Sequence, residues 1–179
     1  KLLRYNQTPN LNVEQVADQS LKDSLKQFDP LNSEEIKQLV ALMMIKSSEV
    51  GLVFVYLGSE KLKHCIPERL VYLQDMNWPA AVYVAHVLRQ MPHELLVPEL
   101  TRIFKDDYQD DIWIYWICSA LIDGMDKRFL EALKNPILNY IKNSLCPEEP
   151  IRAAEAIIPV LTLEEFQDIC IYHETKFAS

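Results

Sequence analysis

The stretch Asp75-Met76-Asn77-Trp78-Pro79-Ala80-Ala81 decides how this chain is divided into structural elements. An asparagine is a good N-cap, because its side-chain oxygen can accept a backbone N–H of the first helical turn. A proline is tolerated in that turn, where its missing N–H costs no hydrogen bond. We therefore expect a helix that Asn77 caps and whose first turn contains Trp78 and Pro79.

The residues after this stretch carry apolar side chains at helical spacing. A first stripe consists of Ala81, Val84, Ala85, Leu88 and Met91. A second stripe, which starts after Pro92, consists of Leu96, Val97, Leu100, Ile103 and Phe104. Spacings of three and four residues put each stripe on one side of an amphipathic helix. Two consecutive helices are therefore expected.

The central segment IWIYWICSALI, Ile112–Ile122, is apolar nearly all round. Such a helix is usually covered on both sides, and Gly124 is placed to stop it. A shorter helix over 127–134 should end at Asn135-Pro136, because the residue before a proline avoids the helical region. Both helices belong to the expected core.

The last part of the chain contains two more helix starts. Pro147 is expected to open a helix with Glu148 and Glu149 in its first turn, where carboxylates suit the helix dipole. Its apolar stripe consists of Ile151, Ala154, Ile158 and Leu161. Thr162 and Glu165 have the spacing of a capping box. The helix behind that box carries Phe166, Ile169 and Cys170.

The first third of the chain has weaker signals. Val13–Phe28 has the apolar spacing of a helix, and Asn32 with Glu35 forms a second capping box. Val50–Leu57 is rich in β-branched and aromatic residues, which suits either a buried strand or a buried helix. A lone strand would lack a pairing partner, so we expect a helix that ends at Gly58.

An internal repeat sets the fold class. Helix starts near Trp78, Trp113 and Ile151 are 35 and 38 residues apart, and an acidic residue precedes each start. Helix pairs at such a period are typical of α-solenoids, because one pair cannot bury its own apolar side. The sequence predicts an all-α single domain, an α-α superhelix of the HEAT/ARM-like solenoid type over residues 1–179. A closed helical bundle is the alternative.

The composition limits the function classes. The chain has 179 residues, with 18 basic against 26 acidic side chains and a net charge of −8. Nucleic-acid binding needs clustered cationic residues, so a nucleic-acid partner is disfavoured. The acidity suits a basic protein partner, but it is also a common means of keeping a protein soluble. The four cysteines are far apart and the first three lie beside apolar residues, which favours buried free thiols in a reducing compartment. Disulfides are the alternative that an even count leaves open. The four histidines lack metal spacing and no catalytic motif appears, so we expect no metal, no cofactor and no catalytic residue.

Membrane insertion is also disfavoured by the sequence. No apolar run reaches the roughly 18 residues of a membrane span. The chain begins at Lys1 without a methionine or a signal-peptide core, so we expect a trimmed or processed start.

Eight residues are candidates for partner binding. They are Asp75, Asn77, Trp78, Asp106, Asp107, Asp110, Asp111 and Trp113. The first three could line a groove, although capping and packing also explain them. The four aspartates lack the spacing and the glycine of a calcium loop, so they form either an acidic patch or a solvated, capping loop. Trp113 with Trp116 would be a hot spot if exposed, but their apolar neighbours favour burial.

Two further aspartates, Asp123 and Asp126, lie at the other end of the Ile112–Ile122 helix. Acid at a helix C-terminus opposes the helix dipole by about 0.3–1 kcal/mol. The two aspartates are therefore unfavourably placed unless Lys127 or Arg128 compensates for their charge.

The chain resembles a known family through three segments. They are YLQDMNWPAAVYVAHVL, WIYWICSALI and PILNYIKNSLCPEEPIRAAEAI. These are similar to the bacterial domain-of-unknown-function 5071 family over about residues 67–161, leaving the first 60 residues uncovered. The resemblance implies a HEAT-like core and a cytoplasmic bacterial protein. It implies no activity, because that family is uncharacterised.

These features favour a non-enzymatic protein-interaction module. By analogy it would be an immunity or accessory protein that masks a basic toxin or nuclease. One alternative is an enzyme on a HEAT-like scaffold, such as an alkylated-base DNA glycosylase, but the net charge disfavours its basic groove. A second alternative is a helical domain with a small-ligand pocket between helices.

Overall fold

A computed structural model describes residues 19–43, 47–105, 110–144, 146 and 149–177. These described residues contain ten α-helices and no strand. The helices are α1 Gln19–Leu25, α2 Ser33–Leu42, α3 Ser48–Leu62, α4 Ile66–Leu70, α5 Ala81–Leu88, α6 His93–Lys105, α7 Asp111–Ile117, α8 Lys127–Asn143, α9 Glu149–Ile157 and α10 Leu163–Phe177. Short 3-10 helices cover Lys26–Phe28, Val71–Gln74 and Ile158–Val160, and a π-helix covers Cys118–Ile122. The prediction of an all-α protein is confirmed.

The chain divides into two compact units, residues 1–96 and residues 97–179. In the first unit α3 packs against α2 and α5, and α4 packs against the same two helices. The core residues include Phe54, Leu62, Leu70, Leu73, Val84 and Leu88. The first apolar stripe, from Ala81 to Met91, is buried as predicted.

In the second unit α7 and α8 both pack against α9, and α8 also packs against α10. The core residues include Ile114, Ile117, Leu121, Phe129, Leu133 and Ile137. The π-helix that continues α7 is buried throughout, and Gly124 follows it with a φ of +78°. A buried helix stopped by this glycine is what the sequence predicts.

Three local predictions in the first and last parts of the chain are confirmed. Val50–Leu57 is helical and lies in α3, and Gly58 interrupts that helix with a φ of +68°. Asn32 and Glu35 form the expected capping box at α2. Thr162 Oγ1 accepts from the backbone N–H of Glu165 at 3.1 Å, and Glu165 Oε2 accepts from that of Thr162 at 2.8 Å. These signals are local, so neighbouring helices do not alter them.

The predicted capping by Asn77 is wrong. The helix begins at Ala81, and its N-cap residue Ala80 makes no side-chain capping bond. Asn77 instead lies in a turn, where its backbone N–H donates to the side chain of Asp75. The side-chain amide of Asn77 also donates to Asp75, so this side chain stabilises a turn and does not cap the helix, and Pro79 precedes the helix.

The predicted break at Asn135-Pro136 is also wrong, because α8 continues through Pro136 to Asn143. The proline removes a backbone bond to Ala132, which is exposed to solvent. Apolar residues on both sides of Pro136, such as Leu133 and Ile137, are fully buried. Their burial outweighs the loss of one solvent-facing hydrogen bond.

Some predictions fall outside the described residues. They concern the helix before Gln19, the aspartates Asp106 and Asp107, and the helix start at Pro147 and Glu148. The described α9 begins at Glu149. The grouping of residues 1–179 into one domain, with a core over 67–161, stays a prediction.

All four cysteines are free thiols, but only two of them are buried as predicted. Cys65 and Cys118 are buried, Cys146 is half-buried and Cys170 is exposed. None of the helices in the described residues combines the length and the apolarity that a bilayer span requires.

Candidate functional site

The predicted residues Asp75, Asn77 and Trp78 form one tight turn in the first unit. Asp75 Oδ1 accepts hydrogen bonds from the backbone N and the side-chain Nδ2 of Asn77, both at 2.9 Å. The backbone N of Trp78 donates to the carbonyl of Asp75 at 3.0 Å. Met76 anchors the turn in the core, and Trp78 is half-buried. The polar groups of this turn therefore hold the chain before α5.

The predicted residues Asp110, Asp111 and Trp113 lie together at the start of α7 in the second unit. Asp110 is the N-cap, and its side chain accepts from the backbone N of Trp113 at 3.0 Å. Trp113 and Trp116 are both half-buried, between the buried and the exposed alternatives. The capping interpretation of Asp110 is confirmed.

Asp111 ties the start of α7 to the end of α8. Its Oδ1 accepts from the hydroxyl of Tyr140 at 2.7 Å, and its Oδ2 accepts from the thiol of Cys146 at 2.9 Å. This hydrogen bond, together with burial, raises the pKa of the Cys146 thiol to about 11. Burial and the Asp111 carboxylate also raise the pKa of Tyr140. Cys146 is therefore a protonated donor at neutral pH and a poor nucleophile.

Asp123 and Asp126 have separate structural roles. Arg152 of α9 donates from Nη2 to Asp123 Oδ2 at 2.7 Å and from Nε to Ser119 Oγ at 2.8 Å. A cation from another helix therefore neutralises the acid that follows the π-helix. Asp126 is the N-cap of α8, and its side chain accepts from the backbone N of Phe129 at 3.0 Å.

Arg69 is a fully buried charged residue that the sequence did not single out. Its Nε donates to the carbonyl of Cys65 at 3.1 Å, and its Nη2 donates to the carbonyl of Leu62 at the end of α3. Burial lowers the pKa of Arg69 to about 10. Carbonyls at a helix C-terminus lack intrahelical donors, so this guanidinium completes the end of α3.

An exposed apolar surface lies on the second unit, between α9 and α10. Ile151, Ile158 and Phe166 are large apolar residues that are 44%, 50% and 43% exposed. They line a groove with a volume of about 380 Å³, whose floor includes Ile141 of α8. The helix α10 contributes Ile169 and Cys170 to the same groove. We call this surface the α9–α10 groove.

The residues of the Ile151 stripe are less buried than the sequence predicts. Ile151, Ala154 and Ile158 were expected to form one apolar stripe, but only Ala154 is buried, while Ile151 and Ile158 are about half exposed and line the groove. The buried residues of α9 are Pro150, Ala153, Ala154, Ala156 and Ile157. The helix is thus apolar on two sides, and the described residues cover only one of them. An apolar signal on both sides of a short helix was the sequence feature that could have indicated this surface.

Polar contacts hold α10 in place beside the groove. Lys134 of α8 pairs with Glu165 at 3.1 Å. The hydroxyl of Tyr172 donates to the carbonyl of Lys142 at 2.5 Å, and Lys176 Nζ donates to the carbonyl of Ser144 at 2.7 Å. These bonds link α10 to α8 and to Ser144, the residue that follows α8. The α10 wall of the groove is therefore held against α8.

The groove has an acidic rim. Glu155 and Glu174 line it, and Asp168 lies on the same helix as Glu174. Residues 149–177 contain six carboxylates and two cationic side chains, which gives this segment a net charge of −4. The surface therefore combines apolar side chains in the groove with negative charge around it. No three His, Cys, Asp or Glu side chains in the described part of the chain come together as a metal site.

These elements define an acidic, all-α protein with an open apolar groove. Residues 52–157 match the family described as Domain of unknown function (DUF5071). The match covers more than half of the chain, so the chain belongs to this family. It begins in α3, earlier than the expected residue 67, and ends with α9. The chain has no match among the curated proteins or among the solved structures.

Proposed function

We propose that this chain is a non-enzymatic protein-interaction module that binds a basic partner through the α9–α10 groove. The observation that carries the proposal is the exposure of Ile151, Ile158 and Phe166 on one continuous surface. Single exposed apolar residues are ordinary, but a contiguous patch with a polar rim is typical of interaction sites. The half-buried Trp113 and the exposed Asp110 add a second acidic and aromatic surface in the same unit.

The proposed architecture is a HEAT-like repeat of stacked helix pairs. Within the first unit α2 contacts both α3 and α4, and α3 contacts α5. Within the second unit α7 contacts α9, and α8 contacts both α9 and α10. These four contacts between a helix and the next but one support stacking of pairs.

The proposed partner is a basic protein, and the proposed location is a bacterial cytoplasm. The net charge of −8 would attract a cationic protein and repel nucleic acid. Four free thiols suit a reducing compartment. An immunity or accessory protein that masks a basic toxin or nuclease is the most concrete form of this proposal.

An affinity experiment with matched variants tests the proposed function. The tagged chain is used to recover partners from its native cells, alongside an Ile158→Asp variant and a Leu42→Asp control. Leu42 is 82% exposed in the first unit and lies outside the groove. We expect one stoichiometric protein with the wild-type chain and the control, and its loss with Ile158→Asp. Recovery of no stoichiometric protein, or equal recovery with all three chains, would contradict the proposal.

A small apolar ligand is the second candidate for the same surface. The groove volume of about 380 Å³ lies within the range of small-molecule sites. Native mass spectrometry of the chain purified from its own cells separates the two candidates. A bound small molecule that is lost in the Ile158→Asp variant would favour the ligand, and an intact protein complex would favour the interaction module.

A further inference from the structure

The occupant of the α9–α10 groove can be described by its chemistry. Resting on the proposed function, we infer that it is a single amphipathic helix of the partner, with cationic residues flanking its apolar side. The inference depends on the length of the groove, the chemistry of its walls and the charge of its rim.

The length of the groove fits about two turns of a helix. On α10 the lining residues Phe166, Ile169, Cys170 and His173 follow one another at spacings of three, one and three. Seven residues of helix span about 10 Å. On the opposite wall Ile151 and Ile158 are also seven residues apart. A helix that presents apolar residues at i, i+3 or i+4, and i+7 matches both walls.

The walls of the groove favour a helix over an extended peptide. Helices form both walls, and their backbone groups are already paired within each helix. An extended segment needs an open strand edge for its backbone hydrogen bonds, and these walls offer none. A helical segment satisfies its own backbone and can therefore enter an apolar groove without leaving polar groups unpaired.

The charge of the groove rim indicates which residues should lie beside the apolar side of the bound helix. Glu155 is neutralised by Arg152 at 2.9 Å, and Glu165 is neutralised by Lys134 at 3.1 Å. Among the described residues, Glu174 has no ion pair. This carboxylate lines the groove and is available to a cation of the partner. A second copy of the chain would bring like-charged rims together, which disfavours self-association through this surface.

Two synthetic helices test the inference on the full chain. Each has about 16 residues and the same apolar side, and one carries lysines and the other glutamates beside that side. Fluorescence anisotropy measures their binding to the wild-type chain, to Phe166→Asp, to Glu174→Lys and to the Leu42→Asp control. Circular dichroism and thermal unfolding verify that each variant is folded.

We expect the lysine-flanked helix to bind the wild-type chain and the control at least about tenfold more tightly than the glutamate-flanked helix. Phe166→Asp should weaken that binding by about tenfold or more, and Glu174→Lys should reduce the preference for lysine. The preference should also decrease as salt is added. These results together would support a cationic helix in the groove.

Other outcomes separate this inference from the proposed function. Equal affinity for the two helices would contradict the inference that cationic residues flank the apolar side of the bound helix. If neither helix binds while the native partner is still captured in an Ile158-dependent way, the helical occupant is wrong and the interaction module stands. If analytical ultracentrifugation shows a dimer that Phe166→Asp dissociates, the occupant is a second copy of the chain, and the inference is wrong.

Discussion

The helices α5 and α9 follow equivalent starts of the predicted repeat but differ in how they are covered. Both are short, with eight and nine residues, and both carry several alanines and valines or isoleucines. In α5 the members of the predicted stripe from Ala81 to Leu88 are all buried. In α9 and the turn behind it, Ile151 and Ile158 remain about half exposed.

The difference between these helices lies in their neighbours. α3, α4 and the 3-10 helix Val71–Gln74 pack against α5. α9 packs against α7, α8 and the buried π-helix, while its other side faces the groove. Apolar periodicity therefore predicts that a side chain can be buried, and the surrounding helices decide whether it is. An apolar side without a cover is where a binding surface is to be sought.

The largest expected effect on stability comes from a comparison of two truncations, one of a buried residue in α5 and one of a half-exposed residue in the α9–α10 groove. Leu88→Ala in α5 removes a fully buried side chain and should lower the free energy of unfolding by about 2–5 kcal/mol. Ile158→Ala removes a half-exposed side chain and should cost less than about 1 kcal/mol. Urea unfolding followed by tryptophan fluorescence measures both. Similar costs for the two variants would mean that the groove side is covered in solution.

The glycines of α3 test how closely α5 is covered. An added Cβ at Gly51 would lie 2.5 Å from Cδ2 and 2.7 Å from Cγ of Tyr83 in α5. Gly51→Ala should therefore destabilise the chain by about 1–3 kcal/mol. Gly58→Ala meets no atom within 4 Å, but its φ of +68° should cost a similar amount through backbone strain.

A second substitution separates the two causes. Tyr83→Ala removes the ring that the new methyl group would strike, so it should offset much of the cost of Gly51→Ala. The cost of Gly58→Ala should be unchanged in the Tyr83→Ala background. Thermal unfolding of the single and double variants measures the coupling. Additive costs at Gly51 would show that α3 and α5 are separated more widely than described.

Much of the fold could be predicted from the sequence because its signals are local. The capping box of Asn32 with Glu35 depends on three consecutive peptide units, and it forms as expected. The helical identity of Val50–Leu57 required only the argument that a lone strand has no partner. The break predicted at Pro136 failed because burial of residues on both sides depends on other helices.

Less of the candidate site could be predicted, because its contacts join distant parts of the chain. Tyr140 and Cys146 meet Asp111 across about thirty residues, and no spacing rule links them. Arg152 likewise neutralises Asp123 from α9, with the whole of α8 between them in the chain. The Ile151 stripe was identified, but its exposure depends on where α10 lies. Sequence periodicity carries no information about that position.

Substitution of Arg152 tests whether its ion pair with Asp123 stabilises the packing of α9. Its pair with Asp123 is partly exposed, with side-chain exposures of 22% and 29%. Arg152→Met should lower the free energy of unfolding by about 1–2 kcal/mol through loss of that pair and of the bond to Ser119. Glu155→Gln removes only an exposed partner and should change stability by less than about 0.5 kcal/mol.

A double-mutant cycle checks the assignment. If the pair accounts for the effect, Arg152→Met should cost less in an Asp123→Asn background than in the wild-type chain. Equal costs in the two backgrounds, measured by urea unfolding, would mean that Arg152 stabilises α9 by packing alone. In that case polar contacts would stabilise the core side of α9 no more than they stabilise its groove side.

His86 gives the smallest effect and tests the polar edge of the covered helix α5. Burial, and to a lesser degree Arg89, lowers the pKa of His86 from its ordinary value of 6.5. The unfolded chain therefore binds the proton more readily, so stability should fall as the pH decreases through about 6.5 and level off below the folded pKa. Because the ring is partly exposed, the loss should be less than about 1 kcal/mol. Unfolding at pH 7.5 and pH 5 should show a smaller decrease for His86→Gln than for the wild-type chain, since the other titrating groups contribute equally to both. An unchanged decrease would mean that solvent reaches His86 freely, and α5 would then be less completely covered than the comparison with α9 requires.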